Sequence, residues 1–347
     1  MFRFVLFRFV WSSIALASVA VGAAAQPLTG TLLTANRDGG SISFFDLESG
    51  VEMGRLPVGP RIPHEIAISP DGRFALSTDY GPEDNPGRRL LVIDVPGASF
   101  LGQIDLGPDS RPHSVVFLPD GRRAVATMEA SDRIALVDVV ERRVLETFPT
   151  GGREGHMVRL GPDGETAYVT SRGAEGTLSV IDLAGGRAPV VIETGLGAEG
   201  LAVSPDGSEV WVVNRRAESI SVVDTASLEV VTTVEAPPFA GRAEISPTGR
   251  VLVPNGTSGE STGRFLTLYD LETREVIAQH AVGPGGGGSG SFGIHVVGER
   301  AFVTNRAARS ISIYDLERFP ASSTITTGHE DPDGLGYSPL RLNVFSE

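Results

Sequence analysis

Three histidines and a glutamate occupy the same place in a repeated sequence pattern, and their side chains are of the kinds that bind metal ions. His64, His113 and His156 each stand at the start of a predicted strand that runs into a Pro-Asp-Gly turn, and Glu199 holds the same place before the next such turn. Imidazole and carboxylate groups are ligands for zinc, copper and iron. The sequence therefore predicts a divalent metal site, with one position left open for water or substrate.

Aligning the remaining repeats on that turn adds three equivalent positions. They are Gly241, Phe292 and Asp333, and of these Asp333 offers a further carboxylate ligand. Duplication of an ancestral repeat would also copy a histidine without any metal, and the imidazoles would then bind water and backbone carbonyls. The sequence is consistent with both interpretations and assigns no catalytic residue.

A second polar set follows the next predicted strand of each repeat and should face the same side. It comprises Asn36-Arg37, Asp79-Tyr80, Glu129, Ser171-Arg172, Asn214-Arg215, Asn255 and Asn305-Arg306. Arginines repeated on one face of an acidic protein predict a rim that binds a carboxylate or phosphate. That predicted rim contains Arg37, Arg172, Arg215, Arg306, Asn214 and Asn305. The alternatives are a solvated surface for the arginines and turn stabilisation for the asparagines.

The period of the repeat indicates the elements that position these residues. Pro-Asp-Gly turns begin at Pro70, Pro119, Pro162 and Pro205, with a variant at Pro247, at separations of 49, 43, 43 and 42 residues. Seven alternating strands end in aspartate, at Asp46, Asp94, Asp138, Asp182, Asp224, Asp270 and Asp315. Seven units of about four short strands predict an all-β fold, a seven-bladed β-propeller whose inner strands line a central channel. Both aspartate series are predicted to cap turns.

The two ends of the chain predict how the ring closes. The first unit lacks an opening strand, and the segment GLGYSP from Gly334 matches GLAVSP from Gly200. We therefore expect the C-terminal strand to complete the N-terminal blade, so that residues 26–347 form a single propeller domain.

Several repeats resemble those of a known family. The patterns PHEIAISPDG, AEGLAVSPDGSEVWVVNRR, AFVTNRAARSISIYD and AYVTSRGAEGTLSVID are similar to those of the YVTN-repeat, or YncE-like, seven-bladed propellers. The resemblance covers essentially the whole chain after residue 25 and implies the propeller fold and an exported bacterial protein. It is much less specific for function. WD-repeat propellers are a poorer match, because the Gly-His and Trp-Asp signatures are missing.

The N-terminal segment, residues 1–25, predicts export. Arg3 and Arg8 accompany an apolar run from Phe9 to Gly22, and Ala23 to Ala25 form a small-residue cleavage site before Gln26. This is the pattern of a secretory signal peptide. We expect a periplasmic or secreted protein, cleaved after Ala25, with no membrane span thereafter.

Composition limits the cofactors and partners. The chain has no cysteine, which excludes disulfides, thiolate metal sites, iron-sulfur clusters and CxxCH haem attachment. All 29 basic residues are arginine, which excludes lysine Schiff bases and Walker-type phosphate loops. The net charge of −14 falls to about −16 without residues 1–25, and such a charge disfavours nucleic acid. Neither haem nor nucleotide is expected, whereas a divalent zinc, copper or iron ion is compatible with the chain.

Two functions fit these observations. The first is an exported platform that binds a small molecule or a protein at the upper face and the channel mouth. The alternative is a metal-dependent enzyme that uses the His-His-His-Glu cluster, a hydrolase or lactonase acting through metal-bound water being favoured over an oxidase or lyase.

Overall fold

The structure is a computed structural model in which residues 28–256, 265–282, 293–320, 322–328 and 331–343 are described. These residues form seven four-stranded antiparallel sheets. The predicted all-β, seven-bladed propeller is confirmed. The predicted signal peptide lies outside the described residues. Among those residues, no helix combines the length and the hydropathy that a membrane span requires.

Each sheet is one blade, and the strands are numbered along the chain. Blade 1 contains β1 (Thr31–Asn36), β2 (Ser41–Asp46) and β3 (Glu52–Pro57). Blade 2 contains β4 (Pro63–Ile68), β5 (Phe74–Asp79), β6 (Arg89–Asp94) and β7 (Ser99–Asp105). Blade 3 contains β8 (Pro112–Phe117), β9 (Arg123–Met128), β10 (Arg133–Asp138) and β11 (Arg143–Pro149), with a 3₁₀ turn (Glu129–Ser131) after β9. Blade 4 contains β12 (Gly155–Leu160), β13 (Thr166–Ser171), β14 (Thr177–Asp182) and β15 (Val190–Glu193).

The remaining blades repeat this order. Blade 5 contains β16 (Ala198–Val203), β17 (Glu209–Asn214), β18 (Ser219–Asp224) and β19 (Glu229–Glu235). Blade 6 contains β20 (Glu244–Ile245), β21 (Arg250–Pro254), β22 (Phe265–Asp270) and β23 (Val276–Ala281). Blade 7 contains β24 (Ile294–Val297), β25 (Arg300–Asn305), β26 (Ser310–Asp315) and β27 (Ser322–Thr326). The last strand, β28 (Pro332–Ser338), joins blade 1.

The ring closes through β28, as the sequence predicts. This strand pairs antiparallel with β1, and Leu335 lies opposite Thr34. The hydroxyl of Tyr337 donates to the carbonyl of Thr29 at 2.8 Å, and the Ser338 hydroxyl donates to the carbonyl of Gly72 in blade 2 at 2.7 Å. The C-terminal strand therefore ties the first blade to its neighbour as well as completing it.

The core consists of apolar layers between the blades. The described residues form seven buried clusters, one at each contact between neighbouring blades. Trp211 of blade 5, for example, is fully buried beside Tyr269 of blade 6. The middle strands are covered on both faces, which explains their nearly continuous Val, Ile and Leu runs. Each blade stabilises its neighbours by burying their apolar faces.

The turns at the lower end of the ring confirm the capping role of the aspartates. In the turn after β4, Gly72 has a φ of 77°, a left-handed conformation that glycine adopts without strain. The Asp71 carboxylate accepts hydrogen bonds from the Ser69 hydroxyl at 2.6 Å and from the Arg73 amide at 3.0 Å. Each strand-end aspartate likewise accepts a backbone amide two or three residues later.

Candidate functional site

Inner strands turn their first side chains into the channel through β-bulges. In blade 2, Pro63 lies opposite Asp79 and Ile66 opposite Ser77, so two residues, His64 and Glu65, face the single Thr78. The same shift occurs at the other four predicted ligand positions, His113, His156, Glu199 and Asp333. A bulge inserts one extra residue and re-aims nearby side chains. The five predicted ligands thus share one local backbone irregularity.

In blades 2, 3 and 4 a threonine of the second strand holds the bulge and the next blade together. The Thr127 hydroxyl accepts the Ser114 amide at 2.9 Å and donates to the carbonyl of His156 at 3.0 Å. Thr78 links Glu65 to His113 in this way, at 3.0 Å for both bonds. Thr170 donates to the Glu199 carbonyl at 2.7 Å. These threonines therefore fix the backbone of the site residue on the neighbouring blade.

The three histidines form a row across blades 2, 3 and 4. The ring centroids of His64 and His113 are 4.4 Å apart, and those of His113 and His156 are 3.6 Å apart. The Tyr80 ring meets the edges of His64 and His113 at 5.1 and 5.2 Å. All three imidazoles are nearly inaccessible to solvent, with exposures of 2 to 6%. The row lies in a cavity of about 370 Å³ at the channel mouth.

The row divides into two groups with the spacing of metal ligands. One contains His64, Glu65 and His113, and the other contains His113, Glu129 and His156. In each group the potential ligand atoms lie within 4.8 Å of one another. Glu65 and Glu129 were not predicted as ligands from the sequence. Glu65 directly follows a candidate histidine and reaches the channel only because of the bulge, whereas Glu129 was expected at the mouth but without a role.

Glu199 and Asp333 contact the ends of the row and belong to neither group. Oε1 of Glu199 lies 3.5 Å from Nε2 of His156, and Oδ2 of Asp333 lies 3.3 Å from Nδ1 of His64. Glu129 approaches the other ring nitrogen of His156, Nδ1, at 3.4 Å. The structure thus brings all five predicted ligands to one cavity, but arranges them as an arc with a carboxylate at each end.

The electrostatics of the row favour neutral imidazoles at His64 and His113. Burial lowers the pKa of His64 to about 4, against the opposing charges of Asp333 and Glu65. Burial, followed by the charges of His156 and His64, holds the pKa of His113 well below its ordinary value. Burial alone would raise the pKa of Glu129, but His156 and Arg172 hold it below its usual range. Neutral imidazoles and an ionised carboxylate are the protonation states that bind metals.

Each predicted rim arginine is paired with a neighbouring carboxylate. Arg37 lies 3.5 Å from Asp333 and Arg215 lies 3.1 Å from Glu199. Arg172 contacts Glu129, and Arg306 contacts Asp331. The four arginine side chains are a quarter exposed on average and line the cavity, as expected from the sequence. They are engaged with acids and do not form a row of free cations.

The two predicted rim asparagines lie elsewhere. Nδ2 of Asn214 donates to the hydroxyls of Ser219 and Ser221 at 3.2 and 2.9 Å, and the side chain is fully buried. Nδ2 of Asn305 donates to Ser310 and Ser312 at 3.3 and 2.9 Å. Their assignment to the rim is wrong. An asparagine that ends the second strand points into its own sheet and ties that strand to the third.

Blade 6 contributes a residue that the repeat alignment missed. The alignment selects Gly241, but the side chain in the cavity is that of Arg242, which is buried and contacts Glu65 on the far side of the channel. The first strand of this blade, β20, spans only two residues, so the register of the regular repeats does not carry over. The equivalent Phe292 of blade 7 lies outside the described residues.

Comparisons with known proteins place the repeats in context. A family model described as "Cytochrome D1 heme domain" matches residues 121–258. Two proteins, each described as "Uncharacterized protein YncE", from Salmonella typhi and Salmonella typhimurium, are 23% identical over 246 residues, covering 67% of this chain and 67% of their own length. The family model spans blades 3 to 6 in part, and therefore includes His156 and Glu199 but not His64 or His113.

Solved structures share the fold at low identity. The chain is similar to "Kuenenia stuttgartiensis Hydrazine Synthase", with a TM-score of 0.63, 20% identity and coverage of 74% of this chain and 77% of that one. It is also similar to a functionally unknown protein from Desulfotomaculum acetoxidans, with a TM-score of 0.71, 14% identity and coverage of 91% and 100%. The chain thus shares the closed ring of seven blades with solved structures, and its repeats are similar to those of the YncE proteins.

Proposed function

We propose that this propeller is a binding platform that holds one divalent transition-metal ion at the mouth of its central channel, through His113, Glu129 and His156. The three side chains of this group are buried and come from two adjacent blades. Two imidazoles and a carboxylate form a common set of protein ligands for zinc, and three such ligands leave a position open to the cavity.

One observation carries the proposal. Nδ1 of His64, Nδ1 of His113 and Nε2 of His156 are buried and make no hydrogen bond with any described residue. A buried polar atom without a partner costs about 1–3 kcal/mol, and three such atoms in one row are unusual. A metal ion bound to Nδ1 of His113 would give that imidazole the partner that no described residue provides, whereas Nε2 of His156 and Nδ1 of His64 lie 3.5 and 3.3 Å from Glu199 and Asp333.

The spacing is compatible with a metal after a small adjustment. The ligand atoms lie within 4.8 Å of one another. Ligands in a tetrahedral zinc site lie about 2.0–2.1 Å from the ion, which places them roughly 3.3 Å apart. Rotation of side chains would therefore bring these atoms closer by up to about 1.5 Å.

The remaining members of the predicted set are suited to orienting the ligands. Glu199 lies beside Nε2 of His156, on the side of the ring opposite Glu129. A carboxylate that accepts a hydrogen bond from the outer ring nitrogen fixes a metal-binding histidine and strengthens it as a ligand. We assign this role to Glu199 at His156, while Asp333 positions His64, whose ring packs against that of the ligand His113.

We infer that the cavity suits a small ion better than a haem. The family model that matches residues 121–258 is named after a haem domain, but a tetrapyrrole is a broad and largely apolar plate. Sites for such ligands have mainly apolar and aromatic walls. Here the lining consists of arginine, histidine and acidic side chains with the single aromatic ring of Tyr80. The donor set suits a small ion.

A metal-dependent hydrolase or lactonase is the second candidate function. It is favoured by the cavity of about 370 Å³ beside the histidine row, which has room for a small substrate at an open coordination position. The metal would there lower the pKa of a bound water. Hydrolysis of small lactones by zinc-loaded protein, abolished in His113→Gln, supports this candidate; equal rates in both proteins contradict it.

We further propose that the protein acts outside the cytoplasm, in the periplasm or as a secreted protein, after cleavage following Ala25. The support is the apolar segment and the small-residue site within residues 1–25. Intact-mass measurement of protein from the exported fraction should give a chain that starts at Gln26. A chain that retains Met1 in a cytosolic fraction would contradict export.

Elemental analysis tests the metal proposal. Protein purified without added metal from its native compartment should contain close to one equivalent of a transition metal, and His113→Gln should lose it. His280→Gln is the matched control. His280 lies on β23, the outermost strand of blade 6, where its ring contacts Tyr314 and Phe319, and it does not line the cavity at the channel mouth. No metal in the wild type, or equal metal in both variants, would overturn the proposal.

A further inference from the structure

Carboxylates and arginines are paired one to one at the channel mouth before any metal binds. Five carboxylates pair with five arginines: Glu65 with Arg242, Glu129 with Arg172, Glu199 with Arg215, Asp331 with Arg306 and Asp333 with Arg37. With neutral histidines the formal charges of these side chains cancel. A divalent ion added to this set introduces two uncompensated positive charges into a site that is largely buried.

Metal binding also changes what Arg172 can contact. Glu129 is at once a member of the metal group and the partner of Arg172. An ion that takes a Glu129 oxygen withdraws negative charge from the guanidinium beside it. Arg215 and Arg172 would then both lie near a single remaining carboxylate, that of Glu199. The surplus positive charge therefore appears next to the ion.

One hydrogen-bond donor of Arg172 has no partner among the described residues even before a metal binds. Its Nε is buried and makes no hydrogen bond with a described residue. The side chain lines the same cavity as His113 and His156. An arginine with a free donor next to a metal can bind one oxygen of an anion while the ion binds another, since guanidinium groups match the geometry of carboxylates and phosphates.

We propose that the metal-loaded channel mouth binds a small oxyanion, a carboxylate or a phosphate, that bridges the ion and Arg172, and that the metal-free site does not. The inference rests on the proposed metal site and names its ligand class. The cavity of about 370 Å³ is at the small end of ligand pockets, which limits the anion to a compact molecule. Because the coupling is reciprocal, the anion raises metal affinity by the same factor by which the metal raises anion affinity.

Cobalt-substituted protein provides the test, because its visible absorption reports exchange of a metal ligand. Acetate and inorganic phosphate are titrated separately into the loaded protein, with acetamide as an uncharged analogue of acetate. We expect one or both anions to change the spectrum with saturation, and acetamide to leave it unchanged. The anion that saturates the spectral change at the lower concentration, acetate or phosphate, identifies the preferred ligand class.

Variants of Arg172 show whether this arginine is the second contact. Arg172→Gln should raise the dissociation constant of the anion roughly tenfold or more, since a charge-assisted hydrogen bond is lost. Arg172→Lys should show a smaller increase, because it keeps the charge and loses the planar fork. Arg187→Gln is the matched control, because the Arg187 side chain is 83% exposed, and it should bind as the wild type does.

The outcomes separate this inference from the proposed function. Cobalt binding without any anion response, or an anion affinity that is the same in metal-free protein or in Arg172→Gln, would overturn the bridging oxyanion and leave the metal site standing. Failure of cobalt to bind would overturn both proposals.

Discussion

The two ends of the ring are built from the same repeat, but they differ in how their polar groups are satisfied. At the lower end each of the seven strand-end aspartates accepts a backbone amide of its own turn. At the channel mouth the repeats carry different residues, and three buried imidazole nitrogens have no hydrogen-bond partner among the described residues.

This difference separates residues that build the blade from residues that a blade presents. A turn needs the same local hydrogen bonds in every copy, so the strand-end aspartate recurs in all seven units. The side chains of the mouth meet across blades, where Arg242 of blade 6 reaches Glu65 of blade 2. Their interactions depend on the whole ring, and they can differ from blade to blade without loss of the fold.

Deleting β28 should have the largest effect, because it removes the strand pairing that completes blade 1 together with Asp333 of the channel mouth. The deletion leaves β1 unpaired on its inner edge and removes Leu335 from the layer between blades 7 and 1. We expect loss of a cooperative thermal transition by calorimetry. Asp333→Asn keeps the strand and should still melt cooperatively; a deletion protein that melts as the full chain does would contradict closure by β28.

Acidification should destabilise the mouth before the turns. Because the folded-state pKa of His64 is lowered to about 4, the unfolded chain binds its proton first as pH falls. Stability is unaffected above pH 6.5 and decreases between about 6.5 and 4, by roughly 3 kcal/mol at the lower limit. Urea unfolding across this range, with a chelator present, should show a shallower decrease for His64→Gln. Equal slopes would contradict a buried neutral His64.

Thr127→Val should weaken the mouth without touching the turns. The substitution removes the hydroxyl that joins Ser114 to His156, and it leaves buried backbone groups without their partner. We expect a loss of about 1–3 kcal/mol in unfolding free energy and a clear decrease in metal affinity. Blade 5 has Val213 at the equivalent position, so valine is compatible with the strand. Thr127→Ser keeps the hydroxyl and should restore both quantities; unchanged metal affinity in the valine variant would contradict the positioning role.

Asp71→Ala should have the smallest effect and act on the lower end alone. It removes the acceptor for the Ser69 hydroxyl and the Arg73 amide in a partly exposed turn. The expected cost is about 1 kcal/mol by chemical denaturation. Metal affinity measured by competition with a chromophoric chelator should equal that of the wild type. A decrease in metal affinity would show that the two ends are coupled.

The fold could be predicted from the sequence because its determinants are local and repeated. Turn residues at a regular period and alternating apolar strands gave the seven blades, and the match of GLGYSP to GLAVSP gave the closing strand. The same alignment predicted correctly that His64, His113, His156 and Glu199 share one cavity, because each stands at the same distance before a Pro-Asp-Gly turn.

The contacts of the site could be predicted only in part, because they depend on irregular backbone and on distant blades. Glu65 reaches the channel through a bulge that the pattern of alternating residues does not reveal. The alignment selected Gly241 and missed Arg242 by one position, because the short strand β20 departs from the repeat. The pairing of each rim arginine with an acid joins residues as far apart in sequence as Arg37 and Asp333, and no spacing rule indicates it.

Anomalous X-ray diffraction from crystals grown with zinc tests the central claim most directly. Data collected on both sides of the zinc absorption edge locate the ion and its ligands without assumptions about chemistry. The account predicts one strong peak at the channel mouth, within bonding distance of His113, Glu129 and His156. A channel mouth without an anomalous peak, or an ion held only by other residues, would contradict it.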